Sequence, residues 1–327
     1  MTNPLVSFSN LNISFNMLDD SKVYAVNGIN LDIYPNDIIG IVGESGSGKS
    51  QMAMSIMGIL ASNANMSGTI SYNDKIIVKD GKYTDDLNKI RGSDISMIFQ
   101  DPMTCLNPYL KISTQMLELA LKDNKDIKIE EAKKLCIELM DLMGITDSEK
   151  RFNSYPHNLS GGMRQRIMIA MALINKPKLL IADEPTTALD VTVQMQIIDL
   201  LKDVQKRTGL TIILITHDMG IISSLCNRVA VMYGGRIIES GSINEIFYNT
   251  AHPYTKALLN TIPNIDSDRS VELNIIDGLP PMLKSFPKYC TFKDRCRFVH
   301  DKCGEAEPEL ENVSGNHLKA CFYKGKM

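Results

Sequence analysis

Residues Gly43 to Ser50, GESGSGKS, constrain the chain more than any other stretch, because they follow the apolar run Ile38-Ile39-Gly40-Ile41-Val42 and precede the helix-like Gln51 to Met57. Gly43, Gly46 and Gly48 let the backbone wrap closely and turn its N–H groups toward phosphate oxygens. The helix that follows adds its positive N-terminal end. Lys49 would reach the terminal phosphates of a nucleotide, and the Ser50 hydroxyl suits a magnesium ion, which prefers oxygen ligands. Glu44, Ser45, Ser47 and Gln51 complete the candidate nucleotide-binding stretch. A strand running into such a loop and out into a helix is an α/β arrangement.

At 327 residues, 44% of them hydrophobic, the chain can fill a sizeable core. No apolar run approaches the roughly 18–20 residues of a membrane-spanning helix, and MTNPLVSFSN lacks a basic segment followed by a hydrophobic one. The chain is therefore expected to stay in the cytosol, with any membrane role arriving through partner subunits. A formal net charge of -3 gives no general pull toward nucleic acid. Seven cysteines, an odd number in a compartment that disfavours disulfides, read as packed thiols or metal ligands.

Along the chain, Leu5 to Phe15 and Tyr24 to Ile33 read as strands of a small antiparallel layer, with a Pro35-Asn36-Asp37 turn leading into the core strand 38–42. Phe15 and Tyr24 are the candidates to stack on an adenine ring, with ordinary strand packing the alternative for each. Ser67 to Tyr72 is another strand, Asp74 to Asp94 a polar span, and Ile95 to Phe99 a strand ending at Gln100. Between Lys111 and Lys150 the period lengthens to 3.6, placing Ala132, Leu135, Cys136, Leu139, Met140 and Met143 on one helical face. Ser160 stands where an N-cap would open a helix running through Ile174, so the N–H groups after it can meet a second anion. Lys178 to Ala182 is a buried strand ending in Asp183-Glu184, two carboxylates that are costly there unless they have a role. Thr211 to Thr216 is a second, ending in His217-Asp218. Val229 to Met232 and Arg236 to Glu239 form a hairpin across Gly234-Gly235. Composition shifts beyond Pro263, giving domains 1–262, with a helical insert at about 101–172, and 263–327.

GESGSGKS, Gln100, LSGGMRQR, LLIADE, Thr187-Ala188-Leu189-Asp190 and His217 occur in one order over about 180 residues. In these motifs the chain resembles the nucleotide-binding subunits of ABC transporters. Within them it is most similar to the oligopeptide/dipeptide permease ATPases, through IVGESGSGKSQ, FQDPMTCLNP, YPHNLSGGMRQR, ADEPTTALDVTVQ and HPYTKALL.

The resemblance implies a phosphate-loop nucleotide-binding fold with an antiparallel β subdomain, a helical subdomain and a small cysteine-containing C-terminal extension. It implies an ATPase coupled to import of oligopeptides or dipeptides, at the cytoplasmic face of the membrane. Asp183 would hold magnesium, Glu184 would orient and polarise the attacking water, and His217 would contact the terminal phosphate. Gln100 would link the magnesium or water to the docking surface of the transmembrane partner.

In such proteins two nucleotide domains close head to tail. Ser160, Gly161 and Gly162 would then serve the partner's ATP, and Asp190 would lie in an inter-subunit loop. The implied partners are two permease subunits, a second ATP-binding subunit that is a paralogue, and an extracellular solute-binding protein, with no nucleic acid. The same motor serves nickel or metal-chelate importers. A soluble relative acting on DNA or the ribosome would need a long coiled coil or a second nucleotide domain, and the sequence shows neither.

Cys290, Cys296, Cys303 and Cys321 are too widely spaced for a redox pair or zinc ribbon. The permease ATPases carry a similar tail, associated in several with a four-iron four-sulfur cluster, and four thiolates are its ligand set. Zinc or unligated thiols are the alternatives, and His300 and His317 are possible substitute ligands. Cys136 and Cys226 read as core, and Cys105 as no required thiol.

Overall fold

The computed structural model describes residues 3–100, 105–122, 126–186, 189–262 and 275–325. Thr187, Ala188 and residues 101–104 of the motifs above lie outside these. The chain forms two compact units, the first made of residues 1–87 and 214–327 and the second of residues 88–213.

The first unit begins with an antiparallel sheet of β1 (Val6–Asn16), β2 (Lys22–Ile33), β4 (Ala64–Tyr72), β5 (Lys75–Lys79) and β6 (Lys82–Tyr83), in the order β2-β1-β4-β5-β6. Its register is set by a parity change within β1. Val6 and Phe8 are buried, and so are Leu11 and Ile13. Even positions give way to odd ones because the pairing with β4 shifts between Ser9 and Asn12, where Asn10 takes φ 49°. An extra residue in one strand flips which side chains face inward, so the bulge keeps the inner face apolar.

The polar span expected from Asp74 to Asp94 holds β5, β6 and α2 (Asp85–Ile90) instead. The apolar trio Ile76-Ile77-Val78 carries that strand, with Ile77 and Val78 fully buried.

The same unit holds β3 (Ile38–Val42), β10 (Arg228–Tyr233), β11 (Arg236–Ser242), β12 (Glu311–Ser314) and β13 (His317–Lys319), adjacent in the order β12-β13-β11-β10-β3. All of β3 is buried, which accounts for its unbroken apolar run. It pairs parallel with β10, Arg228 opposite Ile39 through Val231 opposite Val42. Gly234 and Gly235 both take positive φ, 54° and 76°, as a tight two-residue hairpin turn requires. Helix α1 (Lys49–Met57) follows the phosphate loop, and α8 (Met219–Leu225), α9 (Ile243–Tyr248), α10 (Pro253–Asn260) and α11 (Lys302–Glu305) complete the unit's helices among the described residues. Among its described residues the C-terminal segment adds its strands to this same sheet. Its β13 pairs with β11, Glu239 opposite Lys319.

In the second unit β7 (Ile95–Ile98) pairs parallel with β8 (Leu179–Asp183), and β9 (Thr211–Ile215) spans the sequence boundary after Ile213. Its helices among the described residues are α3 (Ile112–Lys122), α4 (Ile129–Leu142), α5 (Ser148–Phe152), α6 (Gly161–Leu173) and α7 (Val191–Thr208), with a 3-10 turn at Pro156–Asn158. Ala132, Cys136 and Met140 are the buried stripe of α4, as the 3.6 period predicts. Burial pushes the Cys136 thiol up to about 11 and the Cys226 thiol up as well, so both behave as neutral core residues.

Candidate nucleotide-binding site

In the first unit the loop 43–50 is shaped by close backbone approach. Gly43 has φ 149° and a Cβ there would stand 2.1 Å from the Met232 carbonyl oxygen; at Gly48, with φ 97°, it would stand 2.2 Å from the Ala25 carbonyl oxygen. Only glycine fits at either point. Ser45 and Gly46 are exposed at the tip, while Ser47 and Gly48 are buried. Gly48 precedes α1 and no side chain caps that helix, so its positive end opens into the loop.

Lys49 is 6% exposed, and its ammonium donates to the carbonyls of Gly43 (2.8 Å) and Glu44 (2.8 Å) and to the Ser47 hydroxyl (3.3 Å). The loop thus fixes one cation among its own carbonyls. Ser50 and Gln51 follow on the first turn of α1. Thr216 N–H donates to the Ile41 carbonyl at 3.3 Å, so the turn bearing exposed His217 leaves beside the strand that enters the loop.

Phe15 and Tyr24 sit near the turn that joins β1 to β2, Phe15 opposite Val23 and Tyr24 opposite Ser14. Directly opposed residues share a face and neighbours alternate, so the two rings lie on opposite faces. Tyr24 packs edge-on to Phe286, with centroids 6.3 Å apart.

In the second unit, β8 delivers Asp183 buried, at 3% exposure, and Glu184 immediately after it. Glu184 has φ 46°, a left-handed conformation that few non-glycine residues adopt and that clusters at functional sites. Its Oε2 accepts from the Gln100 side-chain nitrogen at 2.8 Å. The structure therefore joins two residues that are 84 positions apart in sequence. Gln165 on α6 donates to the Pro185 carbonyl, tying the segment after Glu184 to that helix.

Ser160 caps α6 as expected, its hydroxyl accepting from Met163 N–H at 3.3 Å. Gly161 is open, and a Cβ on Gly162 would stand 3.0 Å from Val193 Cγ1. Asp190 caps α7 through Val193 N–H at 3.0 Å, a local role the sequence reading did not include.

The four tail cysteines are all free and belong to the first unit. Cys290 N–H donates to the Cys303 carbonyl at 3.0 Å. Cys296 Sγ accepts from Phe298 N–H and Cys321 Sγ from Tyr323 N–H, each at 3.4 Å. Burial first, and then the neighbouring Cys303, Cys321 and Cys296, push the Cys290 thiol up to about 11. In kind this donor set fits four-thiolate ligation, but among the described residues no three His, Cys, Asp or Glu side chains stand in metal-holding geometry. His317 does not join them. It is 1% exposed, and its Nε2 lies 2.8 Å from the carboxylate of fully buried Glu239.

The sequence reading also missed what HPYTKALL does. Glu239 accepts from the backbone N–H groups of Ala251 (2.6 Å) and His252 (3.1 Å), and His252 Nδ1 caps α10 through Tyr254 N–H at 3.0 Å. Tyr254, fully buried, accepts from Glu44 N–H at 2.9 Å with its hydroxyl.

Burial depresses the His252 pKa from 6.5 to about 3. Because the unfolded chain takes up this proton first, His252 leaves stability untouched above about pH 6.5 and erodes it as pH falls toward 3, by at most about 1.4 kcal/mol per pH unit. His252→Asn, which keeps a cap acceptor, should flatten the fall in melting temperature between about pH 6.5 and 4. An unchanged slope would contradict this.

The comparisons with known proteins agree with the geometry. Residues 26–187 match the ABC transporter family, and residues 238–303 match the oligopeptide/dipeptide transporter C-terminal region. The oligopeptide transport ATP-binding protein OppD of Salmonella typhimurium is 45% identical over 98% of this chain and 94% of its own. The dipeptide transport ATP-binding protein DppD of Bacillus subtilis is 45% identical over 97% and 94%.

Among solved structures, the dimeric post-hydrolysis ATP-binding cassette MJ0796 bound to ADP and Pi superposes with TM-score 0.64 at 28% identity, covering 73% of this chain and 98% of that one. The cbiO1 protein of Clostridium perfringens, part of an ABC transporter complex, gives TM-score 0.63 at 32% identity over 76% and 92%. Near-full-length identity, the family match over the phosphate loop and signature, and the shared cassette fold place the chain in the ABC transporter family, as an ATP-binding ATPase subunit.

Proposed function

We propose that this ATPase powers uptake of oligopeptides or dipeptides across the cytoplasmic membrane. What carries the reading is the joint match to the cassette and to the oligopeptide/dipeptide C-terminal region, with relatives named for peptide transport along nearly the whole chain. No helix among the described residues is long and apolar enough to cross a membrane. In this reading the motor works peripherally, on the cytoplasmic face, through two permease subunits. A paralogous ATP-binding subunit closes head to tail against it, and an extracellular binding protein selects the cargo.

In this reading Lys49 and the backbone N–H groups of 43–51 bind the phosphates, and a ring from Phe15 or Tyr24 packs on adenine. Phe15 is the better placed, since Tyr24 already packs on Phe286. The Ser50 hydroxyl and the Asp183 carboxylate are each hard oxygen donors of the kind Mg2+ prefers, and the family's motifs assign both, with Gln100, to that ion. Bound magnesium would neutralise developing phosphoryl charge. Glu184 orients and polarises the attacking water, Gln100 holds Glu184 in place, and His217 contacts the terminal phosphate. Ser160, Gly161 and Gly162 present the capped start of α6 to the partner's nucleotide, and Asp190 lies at the inter-subunit loop. By donor type Cys290, Cys296, Cys303 and Cys321 would hold a four-iron four-sulfur cluster, with zinc or unligated thiols as the competing states.

The test is affinity purification of the full chain from detergent-solubilised membranes of its host. Two permeases and a second ATPase are expected to co-purify, and an anaerobic preparation should absorb in the visible with iron and sulfide present. Ribosomes or repair factors without permeases would overturn the importer reading. A colourless preparation with stoichiometric zinc would overturn the cluster.

A further inference from the structure

Arg295 lies in a short turn, Lys293–Arg295, between Cys290 and Cys296, yet its side chain reaches the phosphate loop 251 positions away in sequence. A guanidinium has five N–H donors. Here each has an acceptor. Nη1 donates to Glu44 Oε2 (2.6 Å) and the Tyr233 hydroxyl (3.1 Å), Nη2 to Glu44 Oε1 (2.9 Å) and the Ile276 carbonyl (3.0 Å), and Nε to the Asp277 carbonyl (2.7 Å). The Arg295 side chain is 7% exposed and that of Glu44 23%. A two-pronged, largely desolvated pair of this kind is directional as well as strong.

Glu44 is held at every polar group. Its carboxylate is gripped by Arg295, its N–H by the Tyr254 hydroxyl at 2.9 Å, and its carbonyl by Lys49 Nζ at 2.8 Å. Tyr233, Tyr254 and Phe292 pack against one another with centroids 4.6 to 5.3 Å apart, giving the grip a rigid backing. Glu44 also brings a negative charge into a loop that must receive polyphosphate, and Arg295 supplies its counter-charge.

We propose that Arg295 is a positioning residue for ATP turnover: from the C-terminal segment it fixes and neutralises Glu44, and so holds the carbonyls of Gly43 and Glu44 that aim Lys49. The cysteine-bearing segment is thereby part of the machinery that prepares the phosphate loop, independently of what its thiols bind. This inference rests on the chain's being an ATPase.

The test is a double-mutant cycle on the full chain in its purified transporter complex, reading KM for ATP, kcat and melting temperature. Arg295→Gln should raise KM about tenfold, more than it lowers kcat, because Glu44 is left as an unpaired anion beside the phosphates. In a Glu44→Gln background the same substitution should change KM less than about twofold, since no charge remains to neutralise. Arg295→Lys, which keeps the charge but loses the fork, should fall between, and it serves as the readout in both backgrounds if Arg295→Gln does not fold. An equal effect of Arg295→Gln in both backgrounds, or a fall in kcat alone that tracks lost folded protein, would overturn the proposal. A wild-type chain without ATP turnover would instead overturn the ATPase reading beneath it.

Discussion

Glu184→Gln should bind ATP within about twofold of wild type and turn it over about 10²- to 10³-fold more slowly, the loss expected when a positioned general base is removed. The substitution preserves side-chain length, so the left-handed turn at φ 46° is unchanged by it. The amide can still meet Gln100, which now holds Glu184 Oε2 at 2.8 Å, through its own oxygen. Only the carboxylate charge, proposed above to polarise water, is removed. Single-turnover hydrolysis beside equilibrium ATP binding separates the two effects, and wild-type-like turnover would refute the role assigned to Glu184.

Lys49→Ala should abolish measurable tight ATP binding and lower turnover by about 10²- to 10³-fold, the scale found when one preorganised electrostatic partner of a developing charge is deleted. The ammonium is nearly buried and fixed by two carbonyls and one hydroxyl, so its position is set before nucleotide arrives. Lys49→Arg should not restore function, because a planar fork cannot satisfy three acceptors clustered for a point cation. The check is titration of ATP with and without magnesium, with melting temperature as the folding control. Unchanged affinity in Lys49→Ala would contradict the loop assignment.

Much of this site was legible in sequence because its chemistry is local. The loop 43–50, the buried strand ending in Asp183-Glu184, the Ser160 cap and the Gly234-Gly235 turn are each written in consecutive residues, and the structure realises all four. The parity change in β1 was not legible, since alternation reads through Asn10 until its pairing with β4 shows the shift. The strand β5 was hidden by Lys75, Asp80 and Lys82 around three apolar residues.

The short edge strands β12 and β13 carry too few residues to show a period, and β13 exists because β11 offers it an edge. What sequence could not give at all were the pairs that span the chain: Arg295 with Glu44, Tyr254 with Glu44, His317 with Glu239. HPYTKALL reads from sequence as a mark of kinship, and only the folded contacts show that it and Arg295 support the phosphate loop. The expectation that His317 could replace a cysteine ligand failed for the same reason, since its buried partner lies 78 positions away.

The measurement that bears most directly on the account is uptake of a labelled oligopeptide by host cells in which Glu184→Gln replaces the native residue, compared with wild type at equal protein level. Peptide uptake falling to background while the variant still assembles with its permeases is the predicted result. Peptide uptake that stays at the wild-type level, with nickel or metal-chelate uptake lost instead, would contradict it.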